Sequence, residues 1–230
     1  MAQVKQQDED KRAAALAALR EVKGGMKVGL GSGSTANMFI EELGKRKFPG
    51  PCVASSKASE ELARKAGLKL TTLDSLIASL KGEEEETILD LYVDGADEVD
   101  KSMNLIKGGG GAHTREKVVA SAAAEFICIV DESKLVPRLG KFPLPVEVIP
   151  YGRSYVSYEL GELGAKVAER PKFVTDNGNI LLDAQGLDFK DPLQLETELN
   201  NIPGVVDNGI FAVRQPERVL VGRKGKAEYL

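Results

Sequence analysis

The chain has 230 residues, 42% of them hydrophobic and 29% charged, with a formal net charge of -4. That is the composition of a soluble globular protein with room for one large domain, or one medium and one small. A net negative charge offers no overall positive field, so neither nucleic acid nor a membrane is expected as a partner. An anionic ligand would need positive potential concentrated locally.

Taken in chain order, the N-terminal stretch carries Asp8, Glu9 and Asp10 and no apolar core. It is read as a helix over 8–23, not as a secretory or transit peptide. Gly24-Gly25 stops that helix. Met26 to Leu30 reads as a short strand, Gly31-Ser32-Gly33 as a tight loop, and Ser34-Thr35 as the opening of a helix ended by Gly44. The alternation continues with strands at 52–55 and 68–72, helices at 59–66 and up to Leu80, a strand at 89–93, a helix at 113–125 and a strand at 126–130. Short strands separated by helices imply an α/β fold, a mostly parallel sheet flanked by helices in the Rossmann-like manner. The acidic run Glu83 to Glu86 is read as a solvated loop.

The texture changes after Pro137, where Pro143, Pro145, Pro150 and Pro171 punctuate the chain. Helices are expected at 151–163 and 193–200, the latter capped by Asp191 with Pro192 in its first position. Strands are expected at 165–169 and 210–213, and a hairpin turn at Asn177-Gly178 between 173–175 and 180–182. This mixture implies a smaller inserted α+β (ferredoxin-like) domain over 143–215. Residues 1–142 and 216–230 are assigned to the α/β domain, whose sheet Val219 to Val221 is expected to rejoin.

Cys52 and Cys128 sit in apolar runs without a C-x-x-C and are read as buried free thiols in a reducing, cytosolic setting. With His113 the single histidine, a zinc site is not expected. No stretch reaches the ~18 apolar residues of a membrane span.

Three stretches carry chemistry. In Gly29-Leu30-Gly31-Ser32-Gly33-Ser34-Thr35, glycines between a strand and a helix let backbone N–H groups approach an anion. It is not a dinucleotide fingerprint, because Ser34 stands where a third glycine belongs and no acid ends the next strand. A P-loop would need Gly-Lys-Ser/Thr, which is absent. In Asp94-Gly95-Ala96-Asp97-Glu98, acids follow a strand, at the edge where open α/β sheets bind ligands. Two carboxylates there can take separate roles, one exchanging a proton and one holding hydroxyls. In Lys107-Gly108-Gly109-Gly110-Gly111, consecutive glycines are costly in backbone entropy unless a ligand approaches closely. Lys107 supplies positive charge, and Glu116 follows in the first turns of the next helix.

These blocks, with Thr114-Arg115-Glu116-Lys117 and Val130-Asp131-Glu132-Ser133-Lys134, resemble in content and order the type A ribose-5-phosphate isomerases. The resemblance covers nearly the whole chain. It implies interconversion of ribose 5-phosphate and ribulose 5-phosphate through an enediolate, within non-oxidative pentose phosphate metabolism. It implies Glu116 as the base, Asp94 as the acid that opens the furanose ring, and Asp97 as a binder of sugar hydroxyls. Lys107 would steady the enediolate. Ser32, Gly33, Ser34, Thr35, Gly95, Ala96, Gly108, Gly109, Gly110 and Lys134 would complete the substrate-binding set. No cofactor and no metal are implied, because electrons only shift within the substrate. A homodimer or homotetramer is implied, with the small domain contributing to assembly. His113 departs from the family pattern and is read as a helix-start residue outside the site. The competing readings are a non-catalytic sugar-phosphate sensor, which would not need a base such as Glu116, and an isomerase or lactonase acting on a hexose phosphate.

Overall fold

The computed structural model describes residues 2–80 and 87–230; the acidic run at 83–86 lies outside the described residues. The helices are α1 (Ala2–Glu21), α2 (Ser34–Lys45), α3 (Lys57–Lys65), α4 (Leu73–Ala78), α5 (His113–Ser121), α6 (Arg153–Glu162) and α7 (Pro192–Asn200). The first strands are β1 (Val28–Leu30), β2 (Pro51–Ala54), β3 (Lys69–Leu70), β4 (Leu89–Asp94), β5 (Glu98–Val99), β6 (Leu105–Ile106) and β7 (Ala123–Asp131). They are followed by β8 (Leu144–Val148), β9 (Lys166–Glu169), β10 (Ile180–Gln185), β11 (Val205–Asn208), β12 (Ile210–Phe211), β13 (Arg218–Arg223) and β14 (Lys226–Tyr229). Among the described residues no helix is long and apolar enough to cross a membrane.

The chain forms two compact units. The first comprises Met1–Gly95, Arg115–Ser133 and Pro216–Leu230. Its sheet runs β14-β13-β7-β4-β1-β2-β3, parallel throughout except for the edge pair β13–β14. Setting aside that edge, the order is that of a doubly wound sheet, and the winding reverses between β1 and β4. Strands covered on both faces read as continuous apolar runs. Accordingly Val28, Leu30, Leu91, Val93, Ile127 and Ile129 are all buried, together with Phe39, Ile40 and Leu43 of α2. Helix α1 joins this core through Ala14, Ala15 and Ala18, whose small side chains let it lie close.

Several boundaries differ from the sequence expectation, and three of them have a plain structural reading or consequence. Helix α1 begins earlier, at Ala2. Gly44 does not end α2 but lies inside it, where a Cβ would stand 2.6 Å from the Ala66 carbonyl oxygen; its lack of a side chain serves close packing. Helix α5 stops at Ser121, and the alanine-rich stretch expected to continue it becomes the start of β7. There Ala123 and Glu125 pair with Leu89 and Leu91 of β4, and sheet pairing overrides helix propensity.

The second unit comprises Ala96–Thr114 and Lys134–Gln215. Elements β8-α6-β9-β10-α7-β11 give a sheet of order β11-β8-β10-β9 with antiparallel neighbours, the ferredoxin-like arrangement. Leu144, Val146, Val148, Val156, Leu160, Leu182 and Leu199 fill its core. Strand β8 is an element that the prolines obscure: Pro143 precedes it and Pro145 is its second residue, yet every position is buried. The Asn177-Gly178 turn is present, but its preceding strand is β9 rather than 173–175. Thr175 instead closes the turn itself, accepting from the Gly178 N–H at 2.9 Å and donating to the Asn179 carbonyl at 2.9 Å. Asp191 caps α7 by accepting the Gln194 N–H at 3.0 Å. Residues 96–114, assigned from sequence to the α/β part, group with this unit because β5, β6 and β12 form a three-stranded sheet.

Candidate active site

In the first unit, the C-terminal ends of β1 and β4 lie side by side at the reversal of winding. Strand β4 delivers Asp94, and its two-residue period puts Tyr92 on the same face. Both side chains are wholly buried. The Tyr92 hydroxyl donates to Asp94 Oδ2, while Oδ1 accepts the Ser32 N–H at 2.8 Å and the Gly95 N–H at 2.7 Å. Gly31 makes this possible, because a Cβ there would stand 2.1 Å from Oδ1. The loop after β1 therefore wraps a carboxylate of its own unit. The Ser32 hydroxyl is engaged as well, at 2.8 Å from Ser56 Oγ and 3.2 Å from Ser55 Oγ. Beyond it, Gly33 stands at the N-cap of α2 with φ 102° and no side-chain cap, and among the described residues no side chain accepts from the first-turn amides of this 12-residue helix. Gly33 and Ser34 are exposed and Thr35 is buried.

Glu116 stands in the first turn of α5, 4% exposed. Its charge reaches the same tyrosine. Burial first, and then the negative charges of Asp94 and Glu116, push the Tyr92 phenol well above its ordinary value. The phenol is thus a permanent donor at neutral pH, flanked by both carboxylates.

In the second unit, Asp97 Oδ2 accepts the Gly109 N–H at 2.7 Å. Lys107 is 2% exposed, with Nζ 5.4 Å from the centroid of the Phe211 ring, a cation–π approach. The Gly111 N–H closes a turn on the Gly108 carbonyl at 2.8 Å. Two of the loop amides are therefore committed within the protein. The Gly110 N–H takes no partner among the described residues, and a Cβ on this exposed glycine would meet nothing within 4 Å. Gly111 is the opposite case, with φ 77° and Phe173 Cζ 2.3 Å from the Cβ position.

The candidate residues thus fall into two sets. Ser32, Asp94, Gly95 and Glu116 gather around Tyr92 in one unit, with Gly33, Ser34 and Thr35 following Ser32 along the chain. Asp97 and Gly109 are joined in the other, where Ala96, Lys107, Gly108 and Gly110 neighbour them along the chain. Lys134 ends a 3-10 turn and makes no hydrogen bond to the second set among the described residues. His113 is wholly buried, its Nε2 3.3 Å from the Asp207 carbonyl oxygen, and opens α5. Sequence reasoning missed Tyr92 and Arg170. Tyr92 was detectable as the residue two before Asp94 on the same strand face. Arg170, which donates from Nη1 to the Gly109 carbonyl at 2.9 Å, is remote in sequence and left no signal.

The chain is similar to known proteins over most of its length. The family model of ribose 5-phosphate isomerase A (phosphoriboisomerase A) matches residues 51–226. Ribose-5-phosphate isomerase A of Acidithiobacillus ferrooxidans is 51% identical over 216 residues, 94% of each chain. The crystal structure of ribose 5-phosphate isomerase A from Neisseria gonorrhoeae superposes with a TM-score of 0.90 at 43% identity, covering 97% of this chain and 96% of that one. A D-ribose-5-phosphate isomerase solved in complex with phospho-erythronic acid superposes with a TM-score of 0.88 at 39% identity, covering 96% and 97%. The chain belongs to the ribose 5-phosphate isomerase A family.

Proposed function

We propose that this chain interconverts D-ribose 5-phosphate and D-ribulose 5-phosphate, with Glu116 carrying the proton between C2 and C1. Abstraction of the C2 proton moves the electron pair into a C1–C2 double bond and leaves an enediolate. Return of the proton to C1, with the proton of the O2 hydroxyl passed to O1, completes the isomerisation with the carbonyl at C2. The Asp94 carboxylate takes the anomeric hydroxyl proton and returns it to the ring oxygen as the C1–O4 bond breaks and the furanose opens. Lys107 and the Gly110 N–H stabilise the enediolate oxygens where charge develops. Asp97 holds sugar hydroxyls. Ser34, Thr35 and the α2 amides take up an anionic group of the substrate, and Lys134 supplies positive charge to it.

The observation that carries this reading is the pairing of Asp94 and Glu116 around one buried, neutral phenol in a chain 51% identical to an isomerase over nearly its full length. The phospho-erythronic acid bound by one relative supports it too. Its planar carboxylate on a phosphorylated chain imitates the planar, anionic enediolate. Assembly into a homodimer or homotetramer is part of the proposal, supported by Tyr151, Tyr155 and Tyr158, which are 99%, 50% and 61% exposed on the second unit.

The test is ketose formation from ribose 5-phosphate by the EDTA-treated protein, beside Glu116→Gln. Turnover is expected for the wild type, and a loss of at least about 10²–10⁴-fold in the variant, the contribution of a positioned base. Full activity in Glu116→Gln would remove Glu116 from that role. Binding without turnover by the wild type would favour a sugar-phosphate sensor.

A further inference from the structure

Arg170 follows β9 in the second unit and is gripped by Asp183 of β10. Its Nε donates to Asp183 Oδ2 at 2.9 Å and its Nη2 to Oδ1 at 2.6 Å. The two side chains are 20% and 25% exposed. This two-pronged contact fixes the guanidinium plane and leaves Nη1 to bond the Gly109 carbonyl at 2.9 Å. Phe173 backs the group, its ring centroid 5.3 Å from the guanidinium carbon, and the same ring fills the space beside Gly111.

The consequence follows from peptide geometry. No peptide bond among the described residues is cis. In a trans peptide the C=O of one residue and the N–H of the next point in opposite directions. Capturing the Gly109 carbonyl on one side of the loop turns the Gly110 N–H out of the other side. Like the Gly108 N–H, that amide has no partner among the described residues, but it lies on the glycine around which a Cβ would meet open space, whereas a Cβ on Gly108 would meet His113 at 2.6 Å. A flexible run of glycines would otherwise let this peptide rotate, and an oxyanion donor works only if its direction is fixed before charge develops.

We propose that Arg170, locked by Asp183, is a positioning residue for the isomerisation: it holds the Gly109–Gly110 peptide so that the Gly110 N–H meets the enediolate oxygen. The inference rests on the isomerase reading above and adds a residue that never touches substrate. Lysine cannot replace it, since a single ammonium cannot grip Asp183 with two parallel bonds and also reach the loop carbonyl in one plane.

Steady-state ketose formation by Arg170→Ala, Arg170→Lys and Asp183→Asn tests it. Removing an oxyanion donor outright costs about 10²–10³ in kcat, and a donor left in place but unaimed is expected to cost roughly 10- to 100-fold. KM should stay within about threefold, because the amide acts mainly in the transition state. Millimolar guanidinium should restore part of kcat in Arg170→Ala by refilling the gap, and none in Glu116→Gln. Asp183→Asn keeps the side-chain volume and carries the test if Arg170→Ala does not fold. A kcat loss of more than about threefold at unchanged KM is expected there. Full kcat in Arg170→Ala, or a loss that follows only the folded fraction by circular dichroism and is not restored by guanidinium, would overturn the proposal. Full kcat in Asp183→Asn would do the same. An active wild type beside an inactive Glu116→Gln would leave the isomerase reading intact in that event; an inactive wild type would sink the isomerase reading itself.

Discussion

Replacing Tyr92 with phenylalanine removes a single oxygen from the interior of the first unit and leaves the ring in place. The ring keeps its packing against Phe126, with centroids 5.0 Å apart, so no cavity opens. What is lost is the hydroxyl that donates to Asp94 Oδ2 from a wholly buried position. A buried hydrogen bond to a charged group is worth about 1.5–3 kcal/mol, and that is the expected loss of stability at pH 8. The pH dependence is more diagnostic. Burial, then the charges of Asp94 and Glu116, raise the phenol above the ordinary value of 10.0 in the folded chain. A group whose folded value is raised contributes stability that is complete below the unfolded value and is lost as pH rises toward the folded one. Above pH 10 the unfolded chain sheds this proton while the folded chain keeps it, so unfolding gains about 1.4 kcal/mol by pH 11. The phenylalanine variant has no such proton, so the stability gap between the two proteins should close by about 1.4 kcal/mol between pH 8 and pH 11. Urea unfolding followed by circular dichroism at both pH values measures it. Every other ionisable group is common to both proteins and cancels from the difference. A gap that stays constant with pH would refute the buried, neutral phenol and the electrostatics built on it.

Glu147→Gln should cost about 1–3 kcal/mol in the same assay, because its buried carboxylate accepts from Thr114, Thr175, Asn177 and Asn179. Burial pushes that carboxyl up, but the hydrogen bonds from Thr114, Asn179, Thr175 and Asn177 outweigh it and hold it below its ordinary value. Its stability is therefore present above the ordinary carboxylate range and lost as pH falls through the lowered value, so the gap to the variant should shrink on acidification; a widening gap would contradict the direction. Asp94→Asn should slow ribose 5-phosphate more than a 4-deoxy analogue that cannot close the furanose ring, and equal losses would remove the ring-opening role. Gly110→Ala should leave the melting temperature unchanged while impairing kcat/KM. Gly111→Ala should destabilise the fold by about 1–3 kcal/mol, since it adds a Cβ at φ 77° and 2.3 Å from Phe173. Full activity in Gly110→Ala would mean that no ligand closes on that amide.

The strand, glycine loop and helix alternation up to Val130 was legible because strands buried on both faces leave unbroken apolar runs and glycines mark the turns after them. What periodicity could not show is competition between elements. The stretch after Ser121 has the composition of a helix, yet a place beside β4 and β13 claims it for β7. Strand β8 was hidden because proline is ordinarily excluded from a sheet interior. Here Pro145 falls near the strand's beginning, and the β11 pairing starts one residue later, at Val146. The short strands β5 and β6, two residues each, carry no periodicity to read.

The glycines divide by the same logic. From sequence, the glycines at 29–35 and at 107–111 were both read as admitting close approach of a ligand. Contacts show which of these amides are already committed within the protein. Ser32 N–H serves Asp94, Gly109 N–H serves Asp97, and Gly111 N–H serves its own turn. Asp94 and Asp97 are thereby each held by a backbone donor from a glycine loop, which restrains the carboxylate and leaves the loop less free than its composition implies. Gly31 and Gly111 are glycine because protein atoms already occupy the Cβ position. Gly110 is glycine where protein atoms leave the space open, which is the room that the proposed contact with the enediolate requires. A run of glycines thus encodes two opposite requirements, close packing against the protein and close approach of a ligand, and only the neighbours in the fold tell them apart.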